Sequence, residues 1–290
     1  MLPDTRDVLD LLEGLAPARL AEYWDNPGVQ VGSYSQKITR IFMALDPAPK
    51  ALHSALDRHA ELLLTHHPLI FTPLSQIDIH TYPGNVVTEA IRSNISVVAV
   101  HTNLDVAPGG MNDILAEFLG LQDINVLKEM AGTDGAGLGR IGTLKKKRSF
   151  CSVAEDVKRI FGPDYRILTG QEDIQIQRVA VVGGAGGSLV DVAAEKNADL
   201  LITGDVTHHH ALEAEMAGIA LIDAGHFNTE QTAFMKFAER LRGLTGDLGW
   251  EIEITTDEDE VGPLQSCGTM TSQGEKIGIE NQKFDRPSRL

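Results

Sequence analysis

The sequence predicts an α/β protein: two related α/β halves, the product of an internal duplication, packed around a central cleft in a three-layer, sandwich-like arrangement. Three observations lead there. Residues 38–67 (ITRIFMALDPAPKALHSALDRHAELLLTHH) match residues 176–205 (IQRVAVVGGAGGSLVDVAAEKNADLLITGD) without a gap, pairing Arg40 with Arg178, Ala60 with Ala198, Leu62-Leu63 with Leu200-Leu201 and Thr65 with Thr203. Each copy passes from an apolar run (Ile41–Leu45; Val179–Val182) through a Pro- or Gly-rich turn. Residues with helical spacing follow (Leu52, Leu56; Leu189, Val192, Ala193), then a second apolar run. That is strand–helix–strand, the unit of a parallel sheet with a right-handed crossover. Further on, ISVVAVHTNLD (95–105) resembles IALIDAGHFNTE (219–230), and both close on His-x-Asn-x-acid.

The remaining elements follow in chain order. Val8, Leu11, Leu12 and Leu15 give residues 5–23 the spacing of an amphipathic helix, with Asp4 or Thr5 as its N-cap. The first half is expected over 1–128 and the second over 129–255. A Gly-rich loop entering a short strand (131–150, AGTDGAGLGRIGTLKKKRSF) joins them, and Asp156 to Phe161 reads as helix. Residues 256–290 turn acidic and then rich in Gly, Ser and Gln, so they are expected to be a polar, partly disordered tail.

Composition narrows the function. A chain of 290 residues is long enough for about two domains. Its 25 Lys+Arg against 41 Asp+Glu leave a net charge of −16, which repels nucleic-acid backbones and anionic lipid and favours cations. Cys151 and Cys267 are too few for a disulfide framework. The acidic N-terminus has no signal-peptide pattern, and apolar runs such as Ile95–Val100 fall far short of the roughly 20 residues a membrane helix needs. A cytoplasmic location without membrane contact is expected.

The histidines point to the chemistry. Of ten, seven fall in four places (His66-His67, His101, His208 to His210, His226), each at or just beyond the end of an apolar run, and only His53, His59 and His80 are scattered. Carboxyl ends of strands are where α/β sheets bind ligands. A single histidine there is commonly just a hydrogen-bonded polar residue. Four such places, two of them with an acidic residue four positions on, point instead to divalent metal: zinc, iron, manganese or nickel. His66 and His67, adjacent at a strand end, are expected to serve neighbouring ions, one ring each. His101 with Asp105, and His226 with Glu230, share a face if each segment turns helical. Asp105 and Glu230 are then the natural shared ligands, and about five groups suit two ions rather than one tetrahedral zinc. The His208 to His210 run reads either as a solvated helix start or as a substrate contact.

Two further motifs have plainer readings. GGAGG (183–187) fits neither G-x-G-x-x-G nor a P-loop, and signals a tight turn with close backbone approach. A nucleotide-binding use of it would need Asp205 as a ribose ligand, against which the neighbouring histidines argue. Lys145 to Arg148 read as a solvated strand edge, or as an attractor of a phosphate-bearing substrate.

The motifs THHPLIF (65–71), HTNLD (101–105), GLGRIG (137–142), TGDVTHHH (203–210) and DAGHFNTE (223–230), with LAEYWDNPGVQVG (20–32), resemble those of the Nif-three-like family over about residues 5–255. Many of its members are labelled GTP cyclohydrolase I type 2 homologues. The resemblance implies two α/β halves around a dinuclear metal site, in a ring-shaped homohexamer. The stretch from Arg148 to Asp173 is too short for the extra domain some members carry. Matched by motif, the ligands of two divalent ions per subunit are His66, His67, Asp105, His226 and Glu230, with His101 a sixth ligand or a residue behind them. The label implies a metal-dependent hydrolase opening the guanine imidazole ring of GTP, or acting on another nucleotide, with His101 and His209 as candidate proton shuttles. The competing expectation is a non-catalytic scaffold that stores or delivers metal, or regulates a partner.

Overall fold

The computed structural model describes residues 2–162, 166–169, 174–258 and 260–263. The chain opens with α1 (Thr5–Leu15) and β1 (Gly28–Val31). A first β/α series follows: β2 (Arg40–Ala44), α2 (Pro49–Asp57), β3 (Leu62–Thr65), α3 (Gly84–Arg92) and β4 (Ser96–Ala99). Helices α4 (Thr102–Val106) and α5 (Met111–Phe118) lead to β5 (Gln122–Glu129), β6 (Gly137–Ser149), α6 (Phe150–Phe161) and β7 (Arg166–Thr169). The second series is β8 (Gln175–Ala185), α7 (Val190–Glu195), β9 (Leu200–Gly204), α8 (His208–Ala217) and β10 (Ala220–Asp223). Helix α9 (His226–Asp247) and β11 (Glu253–Thr256) close the described chain.

The duplication is visible in the sheets. One has the order β1-β4-β3-β2-β11 and the other β5-β6-β8-β9-β10-β7. Strands β2, β3 and β4 are parallel, as are β8, β9 and β10, and each triplet ends on an antiparallel edge strand, β1 or β7. The halves differ on the other flank, where β2 takes the parallel strand β11 and β8 takes the antiparallel strand β6. The last strand among the described residues therefore lies in the first sheet.

The match extends to individual hydrogen bonds. Glu61 accepts from the amides of Thr39 and Arg40 at 2.9 and 2.7 Å, and Asp199 accepts from those of Gln177 and Arg178 at 2.8 and 2.7 Å. In both halves an acidic residue just before the second strand of the unit ties down the matching residues of the first, at the start of β2 and inside the longer β8.

Alternation along the strands sorts their side chains between two environments. Ile41, Met43, Leu62 and Leu64 of the first sheet, and Val179, Val181, Leu200 and Ile202 of the second, enter one shared apolar core. Val8 and Leu12 of α1, Ile114 and Leu115 of α5, Val153 and Val157 of α6, and Phe234 and Leu241 of α9 fill it. Phe42 and Leu63 face outward against α2 and α3, and Ala180 and Leu201 against α7 and α8. Each half is thus helix–sheet–helix, and the two share their inner helices.

Several boundaries differ from those the sequence suggests. The first helix stops at Leu15 because Pro17 disfavours helical backbone at Ala16, which adopts φ −139°, ψ 75°. Asp4 is its cap, in a reciprocal capping box with Asp7. Helix α6 begins at Phe150, where the Ser149 hydroxyl accepts from the Ser152 amide. Strand β6 is 13 residues long rather than short, since β5 and β8 both pair with it. Lys145, Lys146 and Lys147 are exposed where its pairing to β5 has ended, the solvated edge expected, whereas Arg148 is half-buried and turns to Asp156 and Ser152 of α6. Arg140, 2% exposed, accounts for GLGRIG: its guanidinium forks onto Asp113 of α5 at 2.7 Å twice and donates to the Gly137 and Gly139 carbonyls.

The expected tail starts inside β11. Asp257 is buried, and Glu260 accepts from the amides of Leu45 and Asp46 at 2.8 and 2.9 Å. Residues 264–290 of that tail lie outside the described residues.

Candidate metal centre

The carboxyl ends of β3, β4, β9 and β10 meet between the halves, and four imidazoles converge there. His66 and His67 follow β3, His101 follows β4, and His226 follows β10 at the first turn of α9. Ring centroids stand 5.1 Å apart for His66–His67, 5.2 Å for His66–His101, 5.4 Å for His67–His101 and 5.6 Å for His67–His226. Phe234 of α9 packs 5.8 Å from the His66 ring and seals it from below.

Every one of these rings is held by its Nδ1. His66 is bonded to the Val100 carbonyl at 2.9 Å, His67 to Asp46 at 2.7 Å, His101 to Asp25 at 2.8 Å and His226 to Asp205 at 2.6 Å. This fixes each ring and leaves each Nε2 for the interior, the way metal-binding histidines are oriented. Asp105 enters from the first turn of α4, and Glu230 from α9, one turn after His226. His66 Nε2 lies 3.7 Å from Asp105 Oδ1 and 3.8 Å from Glu230 Oε1. Glu230 Oε2 is 3.2 Å from His67 Nε2 and 2.9 Å from His226 Nε2.

The last contact is short but lacks hydrogen-bond geometry. His66 Nε2, His226 Nε2, Asp105 Oδ1 and Glu230 Oε2 are all buried with no hydrogen-bond partner. Polar atoms are rarely left so, and four brought to one point fit the donor set of a cation. Two groups of donor atoms, each within 4.8 Å of one another, could hold an ion: His66, His67 and His101, and His67, His226 and Glu230. Imidazole and carboxylate donors suit divalent transition metals.

Electrostatics agree. Burial opposes charge on His67, but Asp46 and Glu230 override it and raise the ring to about 10. His226 is raised to about 9 against its burial by Glu230 and Asp205. Burial pushes Asp105 up to about 6, while Glu230, though buried, is held well below the carboxylate range by the imidazoles around it. Asp25, despite burial, is drawn down to about 2 by His101 and Thr102.

The five residues read as ligands are brought together here, and His101 joins them as a donor. His66 and His67 do not point to opposite sides, because β3 ends at Thr65 and strand alternation ends with it. The sequence points to Asp105 and Glu230 as the shared ligands, but the residue common to both donor groups is His67, while Glu230 belongs to one group and Asp105 to neither. His209 stands apart, exposed on α8 with its ring 5.8 Å from that of His208.

The orienting carboxylates Asp25, Asp46 and Asp205 were not read as part of this site. Their signal is positional: Asp205 directly follows β9, Asp46 lies two residues beyond β2, and Asp205 aligns with His67 in the repeat. GGAGG is the close approach expected. A β-carbon at Gly184 (φ +62°) would stand 2.1 Å from Glu230 Oε1, and one at Gly187 would stand 2.1 Å from His210 Nδ1. Asn112 links the halves, donating to the Asp105 carbonyl at 2.9 Å and accepting from the Gly183 amide at 3.0 Å. Among the described residues, no helix is long and apolar enough to cross a membrane.

Comparison with known proteins agrees with this architecture. The family model described as Duf34/NIF3 (NGG1p interacting factor 3) matches residues 3–260. A protein of Clostridium perfringens named GTP cyclohydrolase 1 type 2 homolog is 34% identical over 259 residues, covering 89% of this chain and 98% of its own. One of the same name from Streptomyces coelicolor is 31% identical over 288 residues, covering 97% and 100%. Among solved structures, a Staphylococcus aureus hypothetical protein superposes with a TM-score of 0.85 at 26% identity, covering 91% of this chain and 99% of that one. Reduced HcgD from Methanocaldococcus jannaschii gives 0.76 at 31% identity, covering 88% and 98%. With two thirds of the chain and more aligned to these relatives and the motif histidines gathered between two duplicated sheets, the chain belongs to the Duf34/NIF3 family.

Proposed function

We propose that this protein is a metal-dependent hydrolase holding two divalent cations per chain and acting on a nucleotide, in the manner the name of its curated relatives indicates. The observation that carries the reading is the convergence of four buried, unpartnered donor atoms from both halves: His66 Nε2, Asp105 Oδ1, His226 Nε2 and Glu230 Oε2. His66, His67 and His101 would hold one ion, His67, His226 and Glu230 the other, with Asp105 completing the set beside His66. Bound divalent ions supply an activated water nucleophile and a Lewis-acid hold on the substrate.

The chain's own residues do the positioning. Asp25, Asp46 and Asp205 fix the ring tautomers with Nε2 inward. Gly184 leaves room for the Glu230 carboxylate. We assign His101 to metal holding rather than to proton shuttling, because its Nε2 is committed to the donor group. On this reading the substrate is GTP or a related nucleotide and the reaction is hydrolytic opening of the base. A ring-shaped homohexamer belongs to the same proposal, and light scattering of the purified protein checks it.

Metal analysis of the wild type, D105A and E230A, with GTP turnover before and after chelation, tests the reading. Expected are two ions per wild-type chain, fewer in each variant, and turnover abolished by chelation. Two ions retained in both variants would refute the ligand assignment. Full metal content with no turnover of any nucleotide would leave a metal-binding scaffold instead.

A further inference from the structure

The ring cluster does not end at the metal centre. Trp24 and Phe71 stand 45% and 50% exposed, 5.6 Å apart and tilted by 52°. Each meets the His101 ring edge-on, at 6.1 and 6.4 Å. His101 therefore belongs to two triangles of rings: an inner one with His66 and His67, and an outer one with Trp24 and Phe71.

Both outer rings sit on anchored backbone. Trp24 precedes Asp25, whose carboxylate holds His101 Nδ1 and also accepts from the amide and hydroxyl of Thr102. Phe71 follows Ile70, whose carbonyl accepts from Asn26 at 2.7 Å and whose amide donates to Gln30 at 3.1 Å. Two large rings fixed in water at the mouth of a donor cluster are unfavourable in isolation, and contact with a flat ligand offsets that. A net charge of −16 repels a triphosphate, so recognition of a nucleotide must draw on its base and on the bound cations. Aromatic faces stack on any base without needing charge.

We infer that Trp24 and Phe71 form a stacking ledge that receives the base of the substrate and sets it beside the metal ions over His101. The inference rests on the nucleotide-hydrolase reading of the site. The competing occupant is a second copy of the chain, since Leu74, Ile77 and Ile79 are also exposed on the segment that follows Phe71.

Guanosine, which lacks phosphate, is the probe, and ribose 5-phosphate the control. Tryptophan emission and calorimetry are followed in metal-loaded and in chelated wild type, W24A, W24F and F71A. Guanosine should quench emission in both metal states and ribose 5-phosphate should not. The quench should vanish in W24A, where Trp250 is the tryptophan that remains. F71A and W24A should weaken guanosine binding about tenfold, W24F should keep it within a few-fold, and metal content should be unchanged in all three. Guanosine binding indifferent to W24A and F71A, or no binding at millimolar guanosine, would overturn the ledge. So would an emission shift that follows protein concentration and ignores guanosine, which would make the rings an interface between copies. Failure of the metal reading shows separately, as a chain that takes up no ions while guanosine still quenches Trp24.

Discussion

Gly184 and Glu230 are in such close approach that any side chain at 184 would collide with the carboxylate: a β-carbon would stand 2.1 Å from Oε1 and 3.3 Å from His226 Nε2. The positive φ of +62° at Gly184 adds to the restriction. G184A should therefore displace Glu230 and weaken metal binding about 10- to 100-fold, the loss typical when a ligand's support is disturbed. Metal titration monitored by calorimetry decides it, with far-ultraviolet circular dichroism confirming that the fold persists. Wild-type affinity in G184A would mean that Glu230 is not a ligand.

The Nδ1 acceptors offer a test that spares the ligands themselves. Asp46 and Asp205 have side chains 39% and 47% exposed, so D46N and D205N should leave thermal stability nearly unchanged. Each asparagine can still contact its ring but no longer favours the N–H on Nδ1, so metal affinity should fall about 10- to 100-fold. Asp25 differs, because it also accepts from the Thr102 amide at the start of α4. D25N should lower affinity and melting temperature together. Parallel losses of stability in all three variants would make these carboxylates structural rather than orienting.

Much of this was legible in the sequence, and what was not has physical reasons. The gapless repeat and the histidines after apolar runs sufficed for the duplicated sheets and for the gathering of the candidate ligands at one point, because parallel strands place their carboxyl ends on one rim. The pairing of β11 with β2 was not legible: a four-residue strand at the far end of the chain carries no sign of which sheet edge it will fill. The orienting aspartates were hidden because an isolated Asp beside a strand is common. Only the folded distances between Asp25 and His101, 76 residues apart in sequence, or Asp46 and His67, show the pairing. The place of His67 in both donor groups depended on where β3 stops, which periodicity does not fix to the residue.

The paired acids of the repeat give a pH dependence. Glu61 is partly buried, which would raise its pKa, but the amides of Thr39 and Arg40 and the Thr39 hydroxyl lower it below 4.5. A depressed folded-state pKa stabilises the fold above the unfolded value, and that contribution is lost as pH falls through the folded value. The urea-midpoint gap between wild type and E61Q should thus be constant from pH 7 to about pH 5 and should close at lower pH. Chelated protein is required throughout, so that metal release by imidazole protonation does not contribute. A gap that widens on acidification would contradict the assignment.

The fork between Arg140 and Asp113 gives a stability test remote from the histidines. Arg140 is buried, and its two 2.7 Å bonds to Asp113 tie β6 to α5. Removing one member of a buried pair leaves the other charge uncompensated and costs about 3–5 kcal/mol, whereas replacing both by apolar groups is often nearly neutral. Asp113 is 23% exposed, so water screens part of the loss and D113A should fall at the low end, about 3 kcal/mol. R140M leaves a carboxylate that water partly reaches and keeps much of the arginine's volume filled, so it should cost less than D113A, and R140M/D113L less than the sum of the two single changes. Urea unfolding of the three variants measures the coupling. Asn112, the neighbour of Asp113 on α5, donates to the Asp105 carbonyl, so the loosened helix in D113A should also weaken metal binding while R140M/D113L restores it. Additive stabilities with unaltered metal affinity would show that the fork neither couples β6 to α5 nor supports the site.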